Sequence, residues 1–149
     1  MAQIETDVVV REVRIDARPE TVFPFLTDPS LMTRWMGKSA TLDPQPGGAL
    51  VINVNKHVAR GEYVEVTPPH RVVFTWGWDG MEHAPAPGSS TVEIDLEESS
   101  GGTLVRLTHR GLSPEEATKH DHGWTHYLER LQIAGSGRDP GPDAWVDAS

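Results

Sequence analysis

Residues 120–131, HDHGWTHYLERL, bring three histidines, a tryptophan and a tyrosine into one short stretch, and a fourth histidine, His109, closes the apolar segment TLVRLTH that precedes it. Imidazole is the side chain whose charge changes nearest neutral pH, and it is the commonest metal ligand. Two chemistries are therefore open to this set: metal binding, or general acid–base work beside a ligand. On a helix turning about 100° per residue, Ala117, His120, Trp124, Tyr127, Leu128 and Leu131 gather on one side, while His122 and His126 fall on the other, one turn apart and near Glu129.

The i, i+4 spacing of His122 and His126 can clamp zinc, and Glu129 could add a carboxylate. Their side of the helix is expected to be solvated, the sequence assigns no further ligand, and the H-E-x-x-H arrangement of zinc proteases is absent, so no metal is expected there. His120 lies at the edge of the apolar side, and His109 shares a face with Val105 and Leu107. These two are the candidate catalytic pair. Each reads first as a hydrogen-bonded core residue and second as the lining of a ligand cavity, with acid or base work a minor part of that second reading. Gly123 costs its helix about 1 kcal/mol against alanine. Close packing against a neighbouring element would explain it, and so would a widened cavity.

The elements that must position these residues follow from periodicity. Ser113 and Glu116 form a capping box with Pro114 in the first helical position, which predicts a helix over 113–134 ending near Gly135. Before it, alternation predicts strands. Val9, Val13 and Ile15 share one face, interrupted by Arg11; Leu50, Ile52 and Val54 share another. Val72, Phe74, Trp76 and Trp78 align on one face, as do Val92, Ile94 and Leu96, and Val105, Leu107 and His109. In HVARGEYVEV either Val58, Val64 and Val66 or Ala59, Gly61 and Tyr63 would point inward, and both registers stay open. Between the first two strands, Pro19 suits a helical first turn, Pro24 should end or distort that helix, and Asp28-Pro29 should start a second short one carrying Leu31, Met32 and Trp35. SSGG reads as a hairpin connection.

The chain has 149 residues, a net charge of −9 and no cysteine. That length suits one domain, burying roughly 68–70% of its unfolded surface. The expected division is a domain over 1–134 and a flexible tail over 135–149, rich in Gly, Pro and Asp, with Trp145 its only anchor. The negative charge disfavours nucleic acid and anionic membranes, and the missing cysteines exclude thiol nucleophiles, thiolate ligands and disulfides. MAQIETDVVV lacks a basic stretch leading into an apolar one, and no apolar run approaches the ~20 residues of a membrane span. A cytoplasmic protein is expected. No nucleotide-binding glycine loop, nucleophile elbow or metal signature is present, so no cofactor is expected.

REVRIDARPETVFPFLTDPSLMTRWMG, GEYVEVTPPHRVVFTWGW, LTHRGL and HDHGWTHYLERL together resemble the START-like polyketide cyclase superfamily, and within it the group related to the activator of heat-shock-protein ATPase. The resemblance runs from about residue 8 to 131. It implies an α+β helix-grip fold: a curved antiparallel sheet of about seven strands wrapped on the long C-terminal helix, with two short helices after the first strand. It implies a cavity between sheet and helix, with Trp35 and Met36 near its mouth. Phe74, Trp76, Trp78, Leu107 and His109 would line the sheet side, and His120, Trp124 and Leu128 the helix side. The inward alternation derived above gives the same sheet and helix residues, although Trp76 and Trp78 are large enough to fill such a space themselves.

Members of that superfamily bind hydrophobic molecules, cyclise or dehydrate polyketides, stimulate a chaperone ATPase, or protect antibiotic producers. Binding of a small hydrophobic or aromatic molecule is the leading expectation, because aromatic side chains share a concave face with few polar groups. The alternatives are a cyclase-like enzyme using His109 and His120, joined by Arg60 and Glu62 if the Val58 register holds, and a chaperone-associated or self-resistance protein. A chaperone or a second copy of the chain is the partner these would imply.

Overall fold

The computed structural model describes residues 8–54, 57–81 and 84–143. Strand β1 (Val9–Ile15) is followed by a one-turn helix α1 (Pro19–Val22), a 3₁₀ turn (Phe23–Leu26) and helix α2 (Pro29–Met32). Then come β2 (Ser39–Leu42), β3 (Ala49–Val54), β4 (His57–Thr67), β5 (Arg71–Trp76), β6 (Ser90–Ser99), β7 (Gly102–Arg110) and helix α3 (Pro114–Gly135). The strands form one antiparallel sheet in the order β1-β7-β6-β5-β4-β3-β2. The short helices thus carry the chain from one edge to the other, and the meander returns it until β7 pairs with β1.

The short-helix region is divided by its prolines. Pro19 opens α1, Pro24 sits in the 3₁₀ turn that replaces a second α turn, and the Asp28 carboxylate caps α2 by accepting from the Ser30 backbone N–H at 2.9 Å. β2 was not assigned from sequence: four residues at a sheet edge, exposed at alternate positions, give too short a pattern to recognise.

β4 uses both of its expected registers. Ala59 and Tyr63 are buried, but a bulge between Tyr63 and Glu65 inserts a residue, after which Val66 packs on the core and Val64 is exposed. In the first half of the strand Arg60 and Glu62 therefore lie on the outer face. Arg60 is bound there by Asp79 at 2.8 Å, so the expectation that it joins the histidines is corrected. The β6–β7 hairpin turns through Ser100 and Gly101, both at positive φ, the backbone shape a two-residue hairpin needs.

α3 packs across the inner face of the sheet. Its capping box is complete: the Ser113 hydroxyl accepts from the Glu116 N–H, and the Glu116 carboxylate accepts from the Ser113 N–H at 2.9 Å. Ala117, Trp124, Tyr127, Leu128, Leu131 and Ala134 are buried beneath it with Val72, Phe74, Trp76, Val92, Ile94, Leu96, Val105 and Leu107 from the sheet. Arg11, the break in the apolar face of β1, reaches the same helix, where its guanidinium makes a two-pronged pair with Asp121.

Where a flexible tail was expected, residues 136–143 fold back on α3. Arg130 donates to the Gly141 carbonyl at 3.1 Å, and Asp143, 9% exposed, meets the His126 imidazole at 2.9 Å. Residues 144–149, Trp145 among them, lie outside the described residues.

Candidate ligand cavity

The inward faces of β5 and α3 do not close on one another completely. A cavity of about 440 Å³ remains, lined by Trp76 and Trp78 from β5 and its continuation, Met81 and Ala84 from the following loop, Val54 and His57 from β3 and β4, and Met36. α3 supplies Glu116, Lys119, His120, Gly123, Trp124 and Tyr127. The rings form a connected wall rather than a plug. Trp76 stands 5.6 Å from Trp78 at 86° and 5.3 Å from Trp124 at 49°, between centroids, in edge-to-face and tilted arrangements favoured by aromatic quadrupoles.

Gly123 explains part of the space. A Cβ built at this position would meet nothing within 4 Å, and the residue lines the cavity. Close packing of a neighbouring element, one of the two explanations open from sequence, is therefore excluded. The widened cavity remains.

Five of the expected lining residues come together here: Met36, Trp76, Trp78, His120 and Trp124. Five do not. Trp35 is 1% exposed in the core, with its indole N–H donating to the Phe25 carbonyl at 3.0 Å. Phe74, Leu107 and Leu128 are core residues, and His109, fully buried, stands behind Trp124. Of the other helical lining residues, Gly123 had a widened cavity as one of its two expected explanations and Tyr127 was expected on the inward side, whereas Glu116 and Lys119 were missed although their spacing from His120 and Trp124 made them readable. Met81 and Ala84 sit in a Gly/Pro loop without periodicity and carried no such signal.

The two candidate catalytic histidines are bonded in ways that fix their protons. Trp124 Nε1 donates to His109 Nδ1 at 3.0 Å, so His109 must carry its proton on Nε2, where Ser90 Oγ lies 2.8 Å away and donates its own O–H to the Trp76 carbonyl. Trp78 Nε1 donates to His120 Nε2 at 3.1 Å, which leaves the His120 proton on Nδ1, bonded to the Glu116 carbonyl at 2.8 Å. Both imidazoles are held neutral. Burial pushes the His109 pKa down to about 3, with the neighbouring His120 adding to the shift, and burial also lowers that of His120. Their rings meet edge to face at 5.0 Å. With each acceptor lone pair taken by an indole N–H, neither ring is arranged to take a proton from a ligand.

The other histidine pair is divided by the fold. His122 is exposed, Glu129 is exposed, and His126 turns to Asp143. Among the described residues no group of three or more His, Cys, Asp or Glu side chains is placed to hold a metal ion, and no helix is long and apolar enough to cross a membrane.

Residues 16–134 match the family described as Activator of Hsp90 ATPase homolog 1-like protein. The chain belongs to this family. It is similar to an AHSA1-like protein from Rhizobium etli whose solution structure is 50% identical, with 91% of this chain and 86% of that one covered and a TM-score of 0.72. CalU16 from Micromonospora echinospora, in its crystal structure, is 28% identical over 87% of this chain and 76% of that one, with a TM-score of 0.72. An HSP90 activator from Plasmodium falciparum shares the fold, at 22% identity, 85% and 94% coverage and a TM-score of 0.71. No curated protein sequence matches the chain. The START-like, AHSA1-like assignment and the helix-grip architecture expected from sequence are those of this molecule.

Proposed function

We propose that this protein binds a small, largely apolar aromatic molecule in the cavity between β5, the β5–β6 loop and α3. The observation that carries the reading is the open position at Gly123. A helix gives up about 1 kcal/mol of propensity there, and what stands in its place is space bounded by three indoles and two methionines. Apolar surface buried in such a space contributes about 25 cal/mol per Å², and ring stacking on tryptophan adds about 0.5–1.5 kcal/mol. Together these offset the several kcal/mol that association costs and support micromolar affinity.

The enzymatic alternative needs an acid and a base facing the ligand, and the bonding of His109 and His120 removes the base. The family description suggests a chaperone partner. Among the described residues, the two large apolar side chains most open to solvent, Val10 and Val64, lie on β1 and β4, separated by three strands, and make no single docking patch.

The test is a titration with N-phenyl-1-naphthylamine, read by its own emission and by quenching of tryptophan. Saturable micromolar binding by the parent and its loss in Gly123→Leu, whose side chain would project into the cavity, is the expected result. Equal binding by both proteins, or none by the parent, rejects the reading.

A further inference from the structure

Most arginines are paired with carboxylates, but Arg34, Lys38, Arg130 and Arg138, like the cation at the cavity mouth, are in no ion pair among the described residues. Seven arginines, at positions 11, 14, 18, 60, 71, 106 and 110, each lie within 4.0 Å of a carboxylate. Lys119, exposed on the first turns of α3 and lining the cavity, is in no ion pair among the described residues. Of the two carboxylates one turn before it, Glu116 is held back at the Ser113 N–H, where the helix N-terminus balances its charge, and Glu115 is in no ion pair with it. Exposed His57 lines the same cavity from β4. Deeper in, the indole N–H of Trp78 ends on His120, that of Trp124 on His109, and the two imidazoles have no acceptor left, while the indole N–H of Trp76 is buried without a partner among the described residues. The cavity floor is thus built of neutral rings with one unpartnered indole N–H, and its lip carries an ammonium in no ion pair among the described residues.

We infer that the cavity selects planar aromatic anions, with the ring system buried among Trp76, Trp78 and Trp124 and the charged group held outward at Lys119. This rests on the binding reading above and specifies its ligand class. A ligand with its charge at the inner end would bury that charge with no counter-ion, whereas one with its charge outward keeps it hydrated beside Lys119. The chain's net charge of −9 opposes any anion, but distant charges are screened beyond about 8 Å at physiological salt, which leaves the contact with Lys119 in control.

Two probes with the same rings test it: 8-anilinonaphthalene-1-sulfonate, and N-phenyl-1-naphthylamine, which lacks the sulfonate. Both should be lost in Gly123→Leu, placing them in the cavity. Lys119→Glu is expected to lower the affinity for the sulfonate relative to the neutral probe by about thirtyfold, the effect of turning an attraction of about 1 kcal/mol in water-like surroundings into an equal repulsion. Lys119→Arg should preserve the ratio, and salt should weaken the sulfonate alone. A ratio unmoved by Lys119→Glu and by salt, with the neutral probe still bound and still blocked by Gly123→Leu, overturns the charge selectivity and leaves the binding reading standing. Failure of the parent to bind either probe overturns both.

Discussion

Trp124 donates its indole N–H to Nδ1 of His109 across 3.0 Å, joining the middle of α3 to the end of β7 through two buried rings. The bond requires His109 to be neutral, since a protonated Nδ1 would face another donor. It ties the packing of helix on sheet to the protonation state of one residue.

Stability should therefore fall in acid. The folded pKa of His109 is about 3 against 6.5 for the unperturbed side chain, so between those values the unfolded chain holds a proton that the folded chain refuses. The stability is fully present above about pH 6.5 and declines as pH drops toward 3, by up to about 1.4 kcal/mol per pH unit for this one proton. His120, also lowered by burial, adds in the same direction. Denaturant midpoints measured at pH 7.5, 6 and 5 should decrease in that order. His109→Gln, less stable at pH 7.5, should show a flatter profile; an unchanged slope would place the proton uptake elsewhere.

The second indole–imidazole bond is more accessible to experiment because Trp78 is only half buried. Trp78→Phe keeps a ring in the cavity wall and removes the N–H that occupies His120 Nε2. The lost bond should cost about 0.5–1.5 kcal/mol. A donor to the neutral ring favours the neutral form, so its loss should raise the His120 titration midpoint, as followed by the ring signals in NMR. No upward movement would mean that the bond has no bearing on the protonation of His120.

Periodicity made β5 and α3 readable because their inward faces repeat without interruption: Val72, Phe74 and Trp76 by twos, Trp124, Leu128 and Leu131 by threes and fours. It could not distinguish a ring that lines a cavity from one that fills the core, since Trp76 and Phe74 occupy equivalent positions of the same strand. That depends on what stands opposite, and Gly123, three elements further along the chain, supplies the difference at Trp76. Trp35 shows the same limit: its neighbour Met36 lines the cavity, while Trp35 turns inward to the Phe25 carbonyl. The register of β4 was hidden for another reason. A bulge shifts the pattern by one residue, so each alternation is right for only part of the strand.

Arg11 and Asp121 link β1 to α3 by a two-pronged contact, with one N–O distance of 2.6 Å, and each side chain remains more than a third exposed. Geometry favours the pair and solvent weakens it. A double-mutant cycle through Arg11→Ala and Asp121→Ala should give a coupling below about 1 kcal/mol that shrinks on going from 0.05 to 0.5 M salt. A salt-independent coupling of about 3 kcal/mol would show that the contact is shielded from water.

Gly61 and Gly123 make opposite predictions for the same substitution. At Gly61, where β4 bends against β5, an added Cβ would lie 1.8 Å from the Thr75 carbonyl oxygen, a backbone atom that cannot move without disturbing the ladder to β6. Gly61→Ala should destabilise the protein by about 2 kcal/mol or more, by strain at a crowded contact. At Gly123 nothing lies within 4 Å, and the backbone is ordinary helix, so Gly123→Ala should stabilise by about 1 kcal/mol from helix propensity alone. A methyl group is small beside a cavity of about 440 Å³, and ligand binding should survive it, whereas Gly123→Leu should retain stability while closing the site. Thermal or urea unfolding of the three variants separates these effects. A loss of stability in Gly123→Ala would show that the helix is packed tightly at that point, and would remove the physical basis for reading Gly123 as the residue that keeps the cavity open.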